Sequence, residues 1–270
     1  MGGGAPVAAR ELLALAVDVV ERAARLAVRL RTRALDEVST KSTDTDVVTA
    51  ADRAVERMVA TELRRARPGD ALFGEETGAG GANRTGVRWI VDPIDGTVNY
   101  LYGLPQYAVS LAAEVDGRVL AGVVRNAATG RQWTALRGGG AYRDGRRLTG
   151  STCTELGQAL VATGFGYHPE RRAHQAGVLA GVLPRVRDIR RFGAASLDLC
   201  LAAEGQVDGY YEQGLHLWDY AAGALVAEEA GLRVHVAPRP SGEAFVLAAP
   251  PALYAQLSDL LAAQDAAGGP

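Results

Sequence analysis

Trp89-Ile90-Val91-Asp92-Pro93-Ile94-Asp95-Gly96-Thr97 carries an apolar strand straight into two carboxylates three residues apart. Pro93 stiffens the step between them, and Gly96-Thr97 supplies a turn where the backbone can come close to a bound group. Two acids at a sheltered strand end repel each other unless cations neutralise them. The stretch reads as a cluster of hard oxygen ligands beside a turn able to hold an anion.

Outward from this stretch, helices and strands are interspersed. Upstream, apolar residues at helical spacing predict an amphipathic helix from about Val7 to Arg33 and a second from about Ala50 to Arg65, ended by Pro68-Gly69-Asp70. The polar loop Ser39–Asp46 lies between them, and the Gly-rich residues 1–6 are expected to be disordered. Ala71–Gly74 reads as a short strand leading to Glu75-Glu76, 78–86 as a flexible Gly-rich loop, and Arg88–Val91 as a strand that stops at Asp92. Downstream, alternation predicts antiparallel strands at Ala108–Glu114, Val119–Arg125, Gln132–Leu136 and Gly140–Tyr142, with turns such as Asp116-Gly117. A strand at Gln158–Thr163 follows, then helices at about Arg172–Val182 and Ala194–Glu204 and a strand near Gly209–Glu212. A helix from about Tyr220 to Ala230, strands at Val234–Val236 and Ala244–Ala248, and a helix at about Pro251–Gln264 complete the chain. This order predicts a mixed α/β fold of stacked layers, one unit over 7–264, with an N-terminal lobe at 7–149 and a C-terminal lobe at 150–264.

Composition narrows the chemistry. With 270 residues, 48% of them hydrophobic, the chain can bury a large core. A formal net charge of -2 gives no global pull toward nucleic acid or an acidic membrane. The basic run Arg185, Arg187, Arg190 and Arg191 lacks interleaved aromatics other than Phe192, so it reads as a solvated face rather than a base-stacking platform. Cys153 and Cys200 give neither a disulfide framework nor a zinc spacing, and His168, His174, His216 and His235 show no paired spacing. Metal chemistry therefore falls to oxygen ligands. No signal peptide and no run of about 18 apolar residues is visible, so a cytoplasmic location is expected.

Further acids sit at element edges: Asp46 and Asp52, Glu75 and Glu76, and Asp219 just before a helix. Singly, each has a plain reading: Asp219 an N-cap, Glu75-Glu76 a solvated pair, Asp46 or Asp52 a cap, Asp95-Gly96 a turn. Jointly they change meaning. Phe73-Gly74-Glu75-Glu76, then Asp92-Pro93-Ile94-Asp95-Gly96-Thr97-Val98-Asn99-Tyr100, then Leu217-Trp218-Asp219-Tyr220-Ala221-Ala222-Gly223, in that order, resemble the inositol monophosphatase family of metal-dependent, lithium-sensitive phosphatases. Lys41–Asp52 and Arg190–Asp198 support the resemblance, which covers about residues 8 to 262.

The resemblance implies a layered αβαβα sandwich of the inositol monophosphatase and fructose-1,6-bisphosphatase type. It implies two or three Mg2+ ions: Glu75, Asp92 and the Ile94 carbonyl for the first, Asp92, Asp95 and Asp219 for the second, and a weaker third leaning on Glu75. The preference of Mg2+ for oxygen ligands agrees. Thr97 and Asp52 would orient and help deprotonate an attacking water, with Lys41 lending positive charge. Backbone N–H groups at Gly96 and Thr97 would point at a phosphate, and those at Gly193, Ala194 and Ala195 at the substrate. Glu212 and Asp95 would accept hydroxyls of a polyol. Taken alone, Thr97 reads as a helix-start cap, Lys41 as a solvated loop lysine and Glu212 as a strand-end surface acid.

The implied activity is Mg2+-dependent hydrolysis of myo-inositol monophosphate or a similar small polyol phosphate. The same chemistry with another leaving group would act on histidinol phosphate, fructose 1,6-bisphosphate or 3'-phosphoadenosine phosphate. Glu212 and the compact length favour inositol phosphate over the bisphosphate and nucleotide options. A reading of a different class is a regulatory binding protein that contacts transcription machinery. The expected partner is a small phosphate monoester, with no nucleic acid and no membrane, and a homodimer is expected by analogy.

Overall fold

A computed structural model describes residues 5–37, 44–81 and 83–269, and only the backbone of 5–8, 33–37 and 44–49. The first sheet contains β1 (Ala71–Gly74), β2 (Gly78–Gly80), β3 (Val87–Asp95), β4 (Ala108–Val115), β5 (Arg118–Asn126), β6 (Gln132–Leu136), β7 (Gly140–Arg143) and β8 (Arg146–Arg147). Its spatial order is β2-β1-β3-β4-β5-β6-β7-β8, with β1 and β3 parallel and every other pair antiparallel. The second sheet contains β9 (Leu160–Thr163), β10 (Asp188–Arg190), β11 (Gly209–Leu215), β12 (Arg233–Pro238) and β13 (Ala244–Ala249), in the order β10-β9-β11-β13-β12. The helices are α1 (Ala5–Glu37), α2 (Asp44–Ala66), α3 (Thr97–Tyr102), α4 (Pro169–Val182), α5 (Ala195–Glu204), α6 (Leu217–Glu229) and α7 (Pro251–Ala263).

Period-two alternation decides the layering. On β3 and β4, Trp89, Val91, Val109, Leu111 and Ala113 join Ala16, Val19, Val20 and Val55 of α1 and α2 in one core. From the opposite face, Ile90, Ala108 and Ala112 join Leu197, Leu199, Ala222 and Leu225 of α5 and α6 in another. That second core continues through Tyr210, Val246 and Ala248 of the second sheet. The far face of β13, Phe245, Leu247 and Ala249, packs with Val178 of α4 and Leu253 and Leu257 of α7. The sequence of layers is helix, sheet, helix, sheet, helix, the mixed α/β sandwich expected. Sandwiched between two sheets, α5 is buried from Ala195 through Ala203, including its polar residues.

Gly122 and Gly223 permit this central layer to close. A Cβ on Gly122 would lie 3.1 Å from the Ala222 Cα, and one on Gly223 would lie 3.0 Å from the Ser196 carbonyl oxygen.

Several boundaries differ from the sequence reading. β3 does not stop at Asp92. It runs to Asp95, with a register shift between Asp92 and Asp95 against Ser110 and Ala108. An extra residue at a bulge needs no ladder bond, so Pro93 is accommodated there. Residues 78–86 are not wholly loop, because Gly78–Gly80 pairs with β1. α6 begins at Leu217, which puts Asp219 inside the helix rather than before it. Of the expected disorder over residues 1–6, residues 1–4 lie outside the described residues and Ala5 and Pro6 instead belong to α1; the loop expected over Ser39–Asp46 gives way to α2 at Asp44, while Lys41 and the side chain of Asp46 lie outside the described residues.

Candidate active site

The C-terminal end of β3, Asp92–Asp95, forms the floor of the site. Asp92 is 2% exposed and Asp95 7%. The Ile94 N–H donates to Asp92 Oδ1 at 3.0 Å, and Thr97 Oγ1 donates to the Ile94 carbonyl at 3.2 Å. Gly96 stands at φ +87°, and a Cβ there would lie 2.8 Å from the Gln106 carbonyl oxygen. Only glycine fits both the left-handed backbone and that approach.

Glu75 follows β1, which runs parallel beside β3. Its turn is held by Glu56, a buried residue of α2 whose carboxylate accepts from the Glu76 and Thr77 N–H groups at 2.9 and 3.0 Å and from the Thr77 hydroxyl. Gly74 is required because a Cβ would collide with that carboxylate. Glu76 itself pairs with Arg53 of α2 at 3.0 Å, a supporting position. Asp52 lies one helical turn before Glu56 and is 4% exposed. Among the described residues its Oδ1 has no hydrogen-bond partner.

Asp219 enters from the second lobe. Its Oδ2 accepts from the His216 N–H at 2.7 Å, closing the first turn of α6. The adjoining Trp218 stacks on His216 at 4.7 Å and meets Phe73 of β1 at 5.3 Å, so aromatic contacts link the elements bearing Glu75 and Asp219.

These carboxylates lie close enough to oppose one another's ionisation. Burial, then Glu75, Asp95, Asp219 and Asp52, hold Asp92 well above the usual carboxylate range. Burial and then Asp95 do the same to Asp219. Burial, with Glu75, Glu76 and Glu56, pushes Asp52 to about 8. Glu75 is pushed up toward about 7 by desolvation, Glu76 and Asp95, although its side chain is exposed, so solvent screens part of that effect. Burial raises Asp95 only to about 6, because Ser196 donates to its Oδ2 from the backbone N–H at 2.8 Å and also from its hydroxyl. Among the described residues, no three His, Cys, Asp or Glu side chains are gathered so as to hold an ion as they stand. The donor set nevertheless suits a hard divalent cation: all oxygen and mutually repelling, with Asp52, Asp92 and Asp95 buried, Asp219 half-buried, Glu75 at the exposed rim, and one oxygen of Asp52 unpartnered.

Glu212 sits within β11 rather than at its end. The Tyr210 hydroxyl donates to its Oε2 at 2.8 Å, and burial raises it to about 7 against the lowering effects of Tyr210 and Arg191. Gly193 is at φ +87°, while Ala194 and Ala195 are buried at the start of α5. The first donors of that helix are turned to Asp95, through Ser196 and neighbouring backbone groups.

Ser196, Asn99, Glu56 and Asp198 escape the sequence reading. The Asn99 amide donates to Gln106 and Phe192 carbonyls at 2.8 and 2.7 Å, tying α3 to the approach to α5. Asp198 is 0% exposed with neither carboxylate oxygen hydrogen-bonded among the described residues, and burial and then Glu212 keep it well above the usual range. Ser196 and Asn99 meet partners about a hundred positions away in the chain, which local spacing does not reveal. For Glu56, its i+4 spacing from Asp52 was the available signal.

The comparisons with known proteins agree in one direction. The model of the inositol monophosphatase family matches residues 8–266. The inositol-1-monophosphatase SuhB of Mycobacterium tuberculosis is 48% identical over 222 residues, covering 78% of this chain and 76% of that protein. The Nus factor SuhB of Salmonella typhimurium is 36% identical over 222 residues, covering 82% and 83%. The solved structure of Mycobacterium tuberculosis SuhB aligns with a TM-score of 0.83 at 40% identity, over 94% of this chain and 97% of that one.

Proposed function

This chain belongs to the inositol monophosphatase family, and from that premise we propose that it hydrolyses myo-inositol monophosphate, or a closely similar polyol phosphate, with Mg2+ as cofactor. The supporting observation is the crowding of Asp52, Glu75, Asp92, Asp95 and Asp219, contributed by α2, the end of β1, β3 and α6. So many facing carboxylates on separate elements, three of them buried, are costly to ionise unless cations enter among them.

In this reading Glu75, Asp92 and the Ile94 carbonyl would hold one ion, and Asp92, Asp95 and Asp219 another, with two or three ions in all. Bound Mg2+ supplies Lewis-acid charge at the phosphoryl oxygens and makes a coordinated water more acidic. The protein's own work is positioning and proton handling, which dominate phosphoryl transfer. Thr97 has its hydroxyl proton directed at the Ile94 carbonyl, leaving its oxygen to accept from an attacking water. Asp52, on a helix that packs against α3, takes the proton of that water. Backbone N–H groups at Gly96 and Thr97 face the phosphate, and Lys41 adds positive charge. Glu212 and Asp95 accept hydroxyls of the alcohol, beside the Gly193, Ala194 and Ala195 backbone. The lobes 7–149 and 150–264 divide this labour: most metal ligands in the first, Asp219 and the alcohol contacts in the second. We also take the protein to act in the cytoplasm as a homodimer, without nucleic acid or membrane; no helix among the described residues is long and apolar enough to cross one.

A phosphate-release panel tests the reading. Inositol 1-phosphate should give the highest kcat/KM among it, histidinol phosphate, fructose 1,6-bisphosphate and 3'-phosphoadenosine phosphate, and a chelator should abolish release. Turnover that survives the chelator, or preference for another member, would overturn it. The relative named Nus factor SuhB favours a second, regulatory reading, contact with transcription machinery. Capture of transcription proteins by an inactive Asp92→Asn chain would support it, and their absence would remove it.

A further inference from the structure

Residues 264–269 follow α7, and the catalytic reading makes no use of them. They are nevertheless fastened down. Ala266 is 4% exposed in the core beneath β11 and β13. His174 Nε2 of α4 meets the Asp265 carbonyl at 3.0 Å, the Gln213 amide of β11 donates to the Gly268 carbonyl, and Arg239, just past β12, donates to the Gly269 carbonyl at 2.6 Å.

Gln213 adjoins Glu212 on β11 and is 3% exposed. Its backbone carbonyl accepts from Gln175 Nε2 at 3.3 Å, and Gln175 Oε1 accepts from the Gly166 N–H at 2.9 Å. Gly166 belongs to the connection from β9 to α4, and that connection presses on Glu212: a Cβ on Gly164 would collide with its carboxylate. Hydrogen bonds thus lead from 264–269, through Gln213 and Gln175, to the loop lying against Glu212. Beneath the loop is a small cavity lined by Thr163, Phe165, Gln175, Tyr211, Gln213 and Ala266. The loop is therefore not fixed by close packing alone, and the buried polar links carry its position.

We propose that Gln175 and segment 264–269 are positioning elements for substrate selection, holding residues 164–167 against Glu212 so that the alcohol of the substrate meets a fixed wall. This rests on the reading of Glu212 as the group that accepts polyol hydroxyls.

Two variants test it, a chain stopped after Gln264 and Gln175→Leu, which cuts the second link at similar volume. Each should lower the ratio of kcat/KM for inositol 1-phosphate to that for an aryl phosphate by at least about fivefold, the effect of one hydrogen bond of ordinary strength, since each variant removes two or more. The loss should appear in KM for inositol 1-phosphate, with kcat on the aryl phosphate within about twofold of the parent. Amide hydrogen exchange at 164–167 should quicken in both. A lower melting temperature with unchanged ratio and unchanged exchange would overturn the proposal, since a merely structural role predicts that pattern. Glu212→Gln separates the two layers of inference. If it leaves the ratio unmoved, the reading of Glu212 fails, and exchange at 164–167 then decides the positioning role alone: faster exchange sustains it, unchanged exchange ends it.

Discussion

Replacing Asp52 by Asn should change how the metal-free protein responds to pH. Asp52 is 4% exposed and faces Glu75, Glu76 and Glu56, and its carboxyl is raised from 3.8 to about 8. A folded-state value above the unfolded one means that the folded chain holds a proton the unfolded chain has released. The associated stability is complete below 3.8 and is lost as pH rises through about 8. Each pH unit is worth about 1.4 kcal/mol, so the interval from about pH 5 to about pH 8 spans roughly 4 kcal/mol. Glu75, raised to about 7, takes up its own proton in the same interval and relieves Asp52 as it does so. Asp52 alone is therefore assigned about half, ~2 kcal/mol. Urea unfolding in the presence of a chelator measures this directly. The variant should gain ~2 kcal/mol on the parent between about pH 5 and about pH 8. Mg2+ at about a hundred times its dissociation constant should return ~2.7 kcal/mol to the parent at the upper pH. Parent and variant curves that run parallel across the interval would refute the argument that buried mutual repulsion governs Asp52.

Three further outcomes follow from other parts of the molecule. Asp92→Asn should reduce turnover by at least ~100-fold while leaving the circular dichroism spectrum that of the parent and, in metal-free protein near neutral pH, raising rather than lowering stability, because it removes a repelling charge at the proposed shared ligand without changing volume; retained activity would contradict the ligand assignment. Gly223→Ala should destabilise the fold by about 1–3 kcal/mol in urea, since its Cβ would press on Leu199 and the Ser196 carbonyl where α5 meets α6; an unchanged midpoint would show that the central layer can give way there. Glu243→Gln should cost stability near neutral pH but little in acid. The two bonds from Arg171, at 2.8 and 2.7 Å, hold Glu243 below its ordinary 4.5, so its contribution is present above that value and disappears as pH falls through the lower folded value. A difference between parent and variant that persists at low pH would count against that pair.

The layers were legible because their signals are repetitive. β3, β4 and β13 are short, nearly continuous apolar runs, as befits strands covered on both faces, and the apolar runs Leu199–Ala203 and Ala221–Ala227 fit helices covered on all sides. β2 and β10 were missed for opposite reasons. The first is Gly-Ala-Gly, with no side chain to alternate, and the second, Asp188-Ile189-Arg190, is an edge strand whose charges suit the sheet rim. Within the basic run, Arg190 pairs with Asp188 and Arg187 with the Gln158 amide. At the site, Asp92, Asp95, Glu75 and Asp219 could be named because their motifs are local. Ser196 and Asn99 could not, because each acts on a residue about a hundred positions away.

Where sequence rules failed is itself informative. Proline is poorly suited to the interior of a strand, non-glycine residues are poorly suited to φ near +87°, and unpaired acids are poorly suited to burial. Pro93 and the acids at 92 and 95 present two of these difficulties within four residues of β3, and Gly96 next to them is the glycine that avoids the other at φ +87°. The surrounding layers supply the cohesion that tolerates them, with Trp89, Ile90, Val91 and Ile94 each 1% exposed or less. A sequence under selection for stability alone would gain by relieving either. Their coincidence at the end of a well-buried strand points to a function that requires fixed negative charge, and a rigid apolar strand is what keeps mutually repelling carboxylates from moving apart.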